Sequence, residues 1–312
     1  MRIVLIPFVA VAMLAAGACG DDEAAGEGAA VRVVASFYPL AEAARQVGGD
    51  RVEVADLTPP GAEPHDLELS PDRVDDLEDA DLAVVLGRGF QPAAEQVADR
   101  RDGLTLVVLD ELGVDGEVDD HGHEEEGEGE DAHEDEEGSL DPHVWLDLTR
   151  MAAIVELVEE HLAEVDPQGA DVYAANAARY VAELEALDAE AAETLAGCEQ
   201  DVIVVSHAAF GWLADRYGLR QEEIAGLSPE QEPDPRRLDE LVRLVEREGV
   251  TTVFTETLVS SRVADTLARE AGVATAVLNP LEGLTRAQAD AGADFLSVMR
   301  DNIAALQEAL GC

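Results

Sequence analysis

Lysine is absent from this chain: all 20 bases among its 312 residues are arginine, set against 69 acids, for a formal charge of −49. So acidic a chain has no basic face with which to neutralise phosphates, which excludes a nucleic-acid binder. It also lacks the clustered cations needed to dock electrostatically on an anionic membrane surface. Cysteine is scarce, and three residues cannot build a disulfide scaffold. No apolar run reaches the ~20 residues of a membrane-spanning helix; the run at residues 3–16 is about 14 long. What is present suffices for a core, since hydrophobic residues make up 47% of the chain. At roughly 100–200 residues per domain, the length predicts two lobes or one large domain.

The apolar run follows Met1 and Arg2 and ends in small residues, the pattern of a secretory signal over residues 1–18. Ala16-Gly17-Ala18 lead directly into Cys19, which resembles a bacterial lipobox and predicts lipidation of Cys19. The alternative is ordinary signal cleavage near Ala18 with a free thiol. Residues 19–30 read as a polar tether with nothing to bury. These features place the protein outside the cytoplasmic membrane, in the periplasm or at the cell surface, anchored as a lipoprotein.

From residue 31 onward, short apolar runs alternate with helical stretches. Strands are expected at 31–35, 51–57, 81–86 and 104–109, with helices at 39–47, 71–79 and 92–101. A second series runs from the strand at 201–205 through 219–225, 251–255 and 273–278, with helices at 235–248, 260–271 and 286–310. Such alternation predicts an α/β fold with parallel sheets covered by helices. Between the series, residues 168–195 are rich in Ala, Glu and Leu and free of proline, which predicts one rod near 42 Å long. The expected architecture is two parallel-sheet lobes, 31–166 and 198–312, joined by a rigid helix over 167–197. One continuous sheet is the alternative.

Residues 115–138 break the pattern with fourteen acids, no base and His121, His123 and His133. A run that repels itself cannot form a core. It reads as a solvated insert or as an auxiliary metal-collecting loop, since imidazole and carboxylate together attract divalent cations. Cys198 and Cys312 are the remaining cysteines; in an oxidising compartment they are expected to pair, the alternative being two thiols.

Four histidines lie outside the acidic loop. His161 falls inside a helical stretch among Glu159, Glu160 and Glu164 and reads as a surface residue paired with those acids. The others share a topological position. His65 follows the strand at 51–57, His143 follows 104–109 across the acidic insert, and His207 follows 201–205; Glu282 follows 273–278. Loops at the carboxyl ends of parallel strands line the ligand crevice of such sheets. Two come from each lobe, so all four are expected to meet in the interlobe cleft. Singly, each histidine reads as an ordinary buried residue; together they form an N3O donor set suited to tetrahedral Zn2+. Four protein ligands close a zinc site, whereas catalytic sites keep a position open, so the set points to capture and not to an enzyme. Glu256, after the strand at 251–255, and Asn279, which offers only a neutral amide oxygen, are the rival fourth ligands.

Five stretches carry a resemblance: Ala35-Ser36-Phe37-Tyr38-Pro39, Pro64-His65-Asp66-Leu67-Glu68-Leu69-Ser70-Pro71, Asp141-Pro142-His143-Val144-Trp145-Leu146-Asp147, Val205-Ser206-His207-Ala208-Ala209-Phe210 and Leu278-Asn279-Pro280-Leu281-Glu282-Gly283-Leu284. In this order the chain resembles the metal-binding lipoproteins of zinc and manganese ABC importers, and most the zinc-uptake, zinc-binding adhesin-type members. The resemblance implies an extracytoplasmic, monomeric receptor that hands Zn2+ to a membrane permease, with His65, His143, His207 and Glu282 as ligands. Some manganese members carry an acid where His207 stands, so His207 favours zinc. A manganese receptor remains the alternative. A metallohydrolase is less favoured, because no HExxH pair is present and neighbouring Ser206 and His207 diverge on one strand. A surface metal buffer or adhesin acting through the acidic loop is the third reading.

Overall fold

In a computed structural model, which describes residues 30–114, 140–231 and 234–312, short extended runs form eight strands in two sheets. The signal segment, Cys19, and His121, His123 and His133 lie outside the described residues. The first sheet holds β1 (Val31–Ala35), β2 (Val52–Asp56), β3 (Leu82–Val85) and β4 (Leu104–Val107), in the order β2-β1-β3-β4 with every pair parallel. The second holds β5 (Val202–His207), β6 (Arg220–Ala225), β7 (Thr252–Thr255) and β8 (Ala274–Val277), in the order β6-β5-β7-β8 and again all parallel. Central strands such as β3 are buried along their whole length, as a sheet covered on both faces requires.

The helices are α1 (Tyr38–Gly48), α2 (Pro71–Glu78), α3 (Pro92–Ala98), α4 (Val108–Glu111), α5 (Leu148–Val165), α6 (Ala170–Leu195), α7 (Gly211–Tyr217), α8 (Pro235–Glu248), α9 (Arg262–Ala271), α10 (Arg286–Asp290) and α11 (Phe295–Leu310). Proline stands in the first turn of α1, α2, α3 and α8, where its missing N–H costs nothing. The rod expected between the lobes is α6. Its 26 residues span about 39 Å. Tyr173, Ala177, Tyr180, Leu184, Leu187, Ala191 and Leu195 recur every three or four residues and are buried. That stripe joins side chains of both lobes, including Val33 and Leu40 with Ile203 and Leu306, in one continuous apolar cluster. Smaller clusters cover the outer face of each sheet.

Two expectations need correction. The final helix, expected over 286–310, is two helices. Gly292 turns left-handed at φ 73°, and Asp294 then starts α11 with a reciprocal cap to Ser297, so the chain stops and restarts. His161 does not pair with the acids of its own helix. Its Nε2 lies 3.2 Å from Glu111 Oε1, and its Nδ1 lies 2.8 Å from the Leu157 carbonyl oxygen.

A disulfide joins Cys198, just after α6, to Cys312, just after α11, with their Cα atoms 4.2 Å apart. With a sequence separation of 114, the bridge restricts the unfolded chain by roughly 4–5 kcal/mol in chain-entropy terms. Denatured, unreduced chain beginning at Val31 is therefore expected to titrate no free thiol. Two titratable thiols would show that the pair is open in solution.

Candidate metal centre

His65, His143, His207 and Glu282 converge: one ligand atom from each lies within 4.8 Å of all the others. Each arrives from its own loop. His65 sits between β2 and α2, behind Pro64, whose carbonyl accepts from the buried Gln91 Nε2 at 3.2 Å. The same amide donates to Thr58 Oγ1 and the Ser36 carbonyl, tying the His65 loop to the ends of β1 and β2. His143 begins a tight turn at Val144–Leu146 that leads into α5. His207 is the last residue of β5. Glu282 follows β8 in a turn that contains Leu281, a buried non-glycine residue with φ 56°. That left-handed conformation costs a leucine roughly 1–2 kcal/mol. It is held because the Leu281 N–H donates to Asn279 Oδ1 at 2.8 Å.

The geometry centres on one oxygen. The Nε2 atoms of His65, His143 and His207 each lie 3.2 Å from Glu282 Oε1. A tetrahedron with zinc–nitrogen bonds of 2.0–2.1 Å has edges of about 3.3 Å, so these three edges match a zinc cage. The set is also dry: the side chains of His143 and His207 are 0% exposed and Glu282 is 1%, while His65 is 12%. Phe90 packs against His65 and Trp145 against His143, with ring centroids 4.6 Å and 5.3 Å apart.

Behind two of the imidazoles stands a carboxylate. His143 Nδ1 donates to Asp141 Oδ1 at 2.7 Å, and His207 Nδ1 donates to Glu256 Oε1 at 2.8 Å. Donation from Nδ1 fixes the tautomer, so in the neutral ring the lone pair sits on Nε2 and faces the cage. Asp141 Oδ1 also accepts the His143 backbone N–H at 3.0 Å, and Gly211 leaves it room, since a Cβ there would come within 2.7 Å of Asp141 Oδ2.

Charges follow the same pattern. Burial opposes protonation of His207, but the charge of Glu256 and bonds to Glu256 and Glu282 outweigh it and push the imidazole up to about 10. Burial opposes protonation of His143 as well, and Asp141 and Glu282 raise it nonetheless. Burial alone would raise Glu282; its bonds from the three histidines hold it well below the usual carboxylate range. Burial pushes up both Glu256 and Glu63, the latter a carboxylate 4.0 Å from His65 Nε2. The cage thus favours positive charge and, without a cation, draws protons.

The four residues singled out in the sequence are the four brought together. Glu256, weighed as a rival ligand, bonds the far nitrogen of His207 and stands outside the cage. Sequence reasoning did not assign Asp141 its role in orienting His143. The Asp-x-His spacing was the available signal, because an aspartate two residues ahead readily accepts the later backbone N–H. No sequence signal pointed to the left-handed Leu281. Among the described residues, no helix is long and apolar enough to cross a membrane.

Known proteins resemble this chain along most of its length. The family model described as zinc-uptake complex component A, periplasmic, matches residues 33–309. The zinc-binding lipoprotein AdcA of Streptococcus pneumoniae is 37% identical over 278 residues, covering 89% of this chain and 55% of that protein. The chain therefore spans about half the length of that relative. The high-affinity zinc uptake system protein ZnuA of Bacillus subtilis is 35% identical over 312 residues, covering 97% of this chain and 96% of the relative. The crystal structure of the Zn(II)-bound ZnuA-like domain of the S. pneumoniae AdcA superposes with a TM-score of 0.75 at 34% identity, covering 91% of this chain and all of that one.

Proposed function

The chain belongs to the family of periplasmic zinc-uptake complex component A proteins, and from that membership and the N3O cage we propose that it is an extracytoplasmic receptor that captures Zn2+ and delivers it to an ABC permease. The observation that carries the reading is the set of three imidazole Nε2 atoms, each 3.2 Å from one buried carboxylate oxygen. His65, His143, His207 and Glu282 are the proposed ligands. Together they supply a full tetrahedral shell, which suits reversible capture and leaves no position for a reacting water. The carboxylate reduces the charge of the loaded site from +2 to +1, which matters where water is excluded. Manganese, which favours more oxygen donors, is held less well by three imidazoles.

The exposure gradient sets the order of events. His65 is the one cage residue whose side chain reaches solvent. The ion enters beside it, under the attraction of Glu63, and exchanges water for imidazole as it moves inward. Tethering of a monomeric receptor through lipidated Cys19 completes the proposal; it rests on the small residues before Cys19 and on the lipoprotein name of a relative.

Calorimetric titration of zinc into the chain tests this. Binding is expected to be one-to-one and to release a proton, because the imidazole of His207, pushed up to about 10, holds one at neutral pH. The sign is fixed: protons compete with the metal, so affinity falls as pH falls, by about tenfold per pH unit for each proton displaced. Affinity independent of pH between 5 and 8 would remove the imidazoles from the site.

A further inference from the structure

We propose that the two tryptophans of this chain form a reciprocal clasp across the lobe seam, positioning the His143 and Glu282 turns and retaining bound zinc. The inference deepens the receptor reading and rests on it. Trp145 and Trp212 are the only tryptophans in the sequence. Trp145 belongs to the first lobe, two residues after His143, and its indole Nε1 donates to the Pro280 carbonyl of the second lobe at 2.7 Å. Trp212 belongs to the second lobe, and its Nε1 donates at 3.0 Å to the Asp141 carbonyl of the first. The two bonds therefore run in opposite directions. Each ends on a carbonyl two residues before a cage residue, Pro280 before Glu282 and Asp141 before His143.

Both indoles are held from behind. Trp145 is 0% exposed, with the Phe37 ring 4.8 Å away. Trp212 lies beneath the Arg150 guanidinium of α5, whose Cζ is 3.8 Å from the ring centroid. The Pro280 turn is equally stiff on its own side. Asn302 of α11 accepts from the Asn279 N–H at 2.8 Å and donates to the Asn279 carbonyl at 2.7 Å. A turn pinned in this way cannot carry Glu282 away from His143 until the Trp145 bond opens. The Trp212 bond restrains the opposite turn, through the residue whose carboxylate orients His143. Release of zinc requires the carboxylate and the imidazoles to part, so the clasp acts on metal retention.

The test uses the full-length chain loaded with zinc, with release followed on adding an excess of chelator. Trp145→Phe keeps an aromatic ring and loses the N–H; release is expected to accelerate about tenfold, in keeping with one buried hydrogen bond. Trp212→Phe, whose bond is longer and partly exposed, is expected to give a smaller increase. Because only two tryptophans exist, biosynthetic replacement by benzothienylalanine removes both N–H groups without changing ring shape. That chain is expected to release zinc at least as fast as Trp145→Phe, while 5-fluorotryptophan, which keeps the N–H, restores the unmodified rate. The Co2+-loaded absorption spectrum should show the same four-coordinate donor set throughout. Unmodified release from the benzothienylalanine chain, or equally fast release from the fluorotryptophan chain, would overturn the clasp and leave the receptor reading intact. An unmodified chain that takes up no zinc would overturn both.

Discussion

His143→Ala is expected to weaken zinc binding by well over 100-fold while leaving the fold intact. Loss of an outer partner that merely orients a ligand commonly costs 10–100-fold, and loss of the ligand itself costs more. His143 is the most constrained of the three imidazoles. It is fully buried, its Nδ1 is held by Asp141 at 2.7 Å, and Trp145 packs on its ring. Water cannot easily replace Nε2 there, because the opened space faces Phe90 and Trp145. His65→Ala should be milder, since its side chain is 12% exposed and solvent can fill the vacated position. Competition titration gives the ranking, and circular dichroism checks the fold. Equal affinity for His143→Ala and the unmodified chain would remove His143 from the site.

The ranking rests on burial and distances, but the elements that carry these residues are largely readable in the sequence. Helix-covered parallel sheets alternate strands with helices, and that alternation is readable from β1 to β8, most clearly in apolar central runs such as β1, β3 and β5. The same connectivity sends chemistry-bearing residues to the loops at strand carboxyl ends. Three histidines and one glutamate in equivalent positions are therefore legible in the sequence as one candidate cluster, and the structure brings their ligand atoms together. What stayed hidden depends on contacts between segments far apart in sequence. His161 pairs with Glu111, fifty residues away, and not with the helix neighbours that spacing suggested. The break between α10 and α11 comes from one glycine at positive φ and a cap at Asp294, signals too small to interrupt an otherwise helical composition. Glu256 was visible as a carboxylate near the cleft. Only the structure shows that it meets Nδ1 of His207 while Glu282 meets Nε2.

That distinction between the two faces of one ring predicts a second large difference. Glu282→Gln is expected to cost zinc affinity well over 100-fold, and Glu256→Gln no more than the 10–100-fold typical of an orienting partner. The two carboxylates are alike in burial, at 1% and 8% exposure, so burial does not separate them. Their positions do. Glu282 Oε1 is the common neighbour of three Nε2 atoms, and in the proposed site its charge would offset the metal where water is excluded. A glutamine there restores the site to +2 and offers the weak oxygen of a neutral amide. At Glu256 the task is to accept one N–H from His207 Nδ1, and a glutamine oxygen can still accept it. The tautomer is kept, and what is lost is the added basicity that a carboxylate gives the ring. Parallel competition titrations of the two variants, with thermal midpoints recorded to exclude unfolding, decide between these roles. Equal losses, or a greater loss for Glu256→Gln, would transfer the fourth ligand to Glu256 and leave Glu282 as its support.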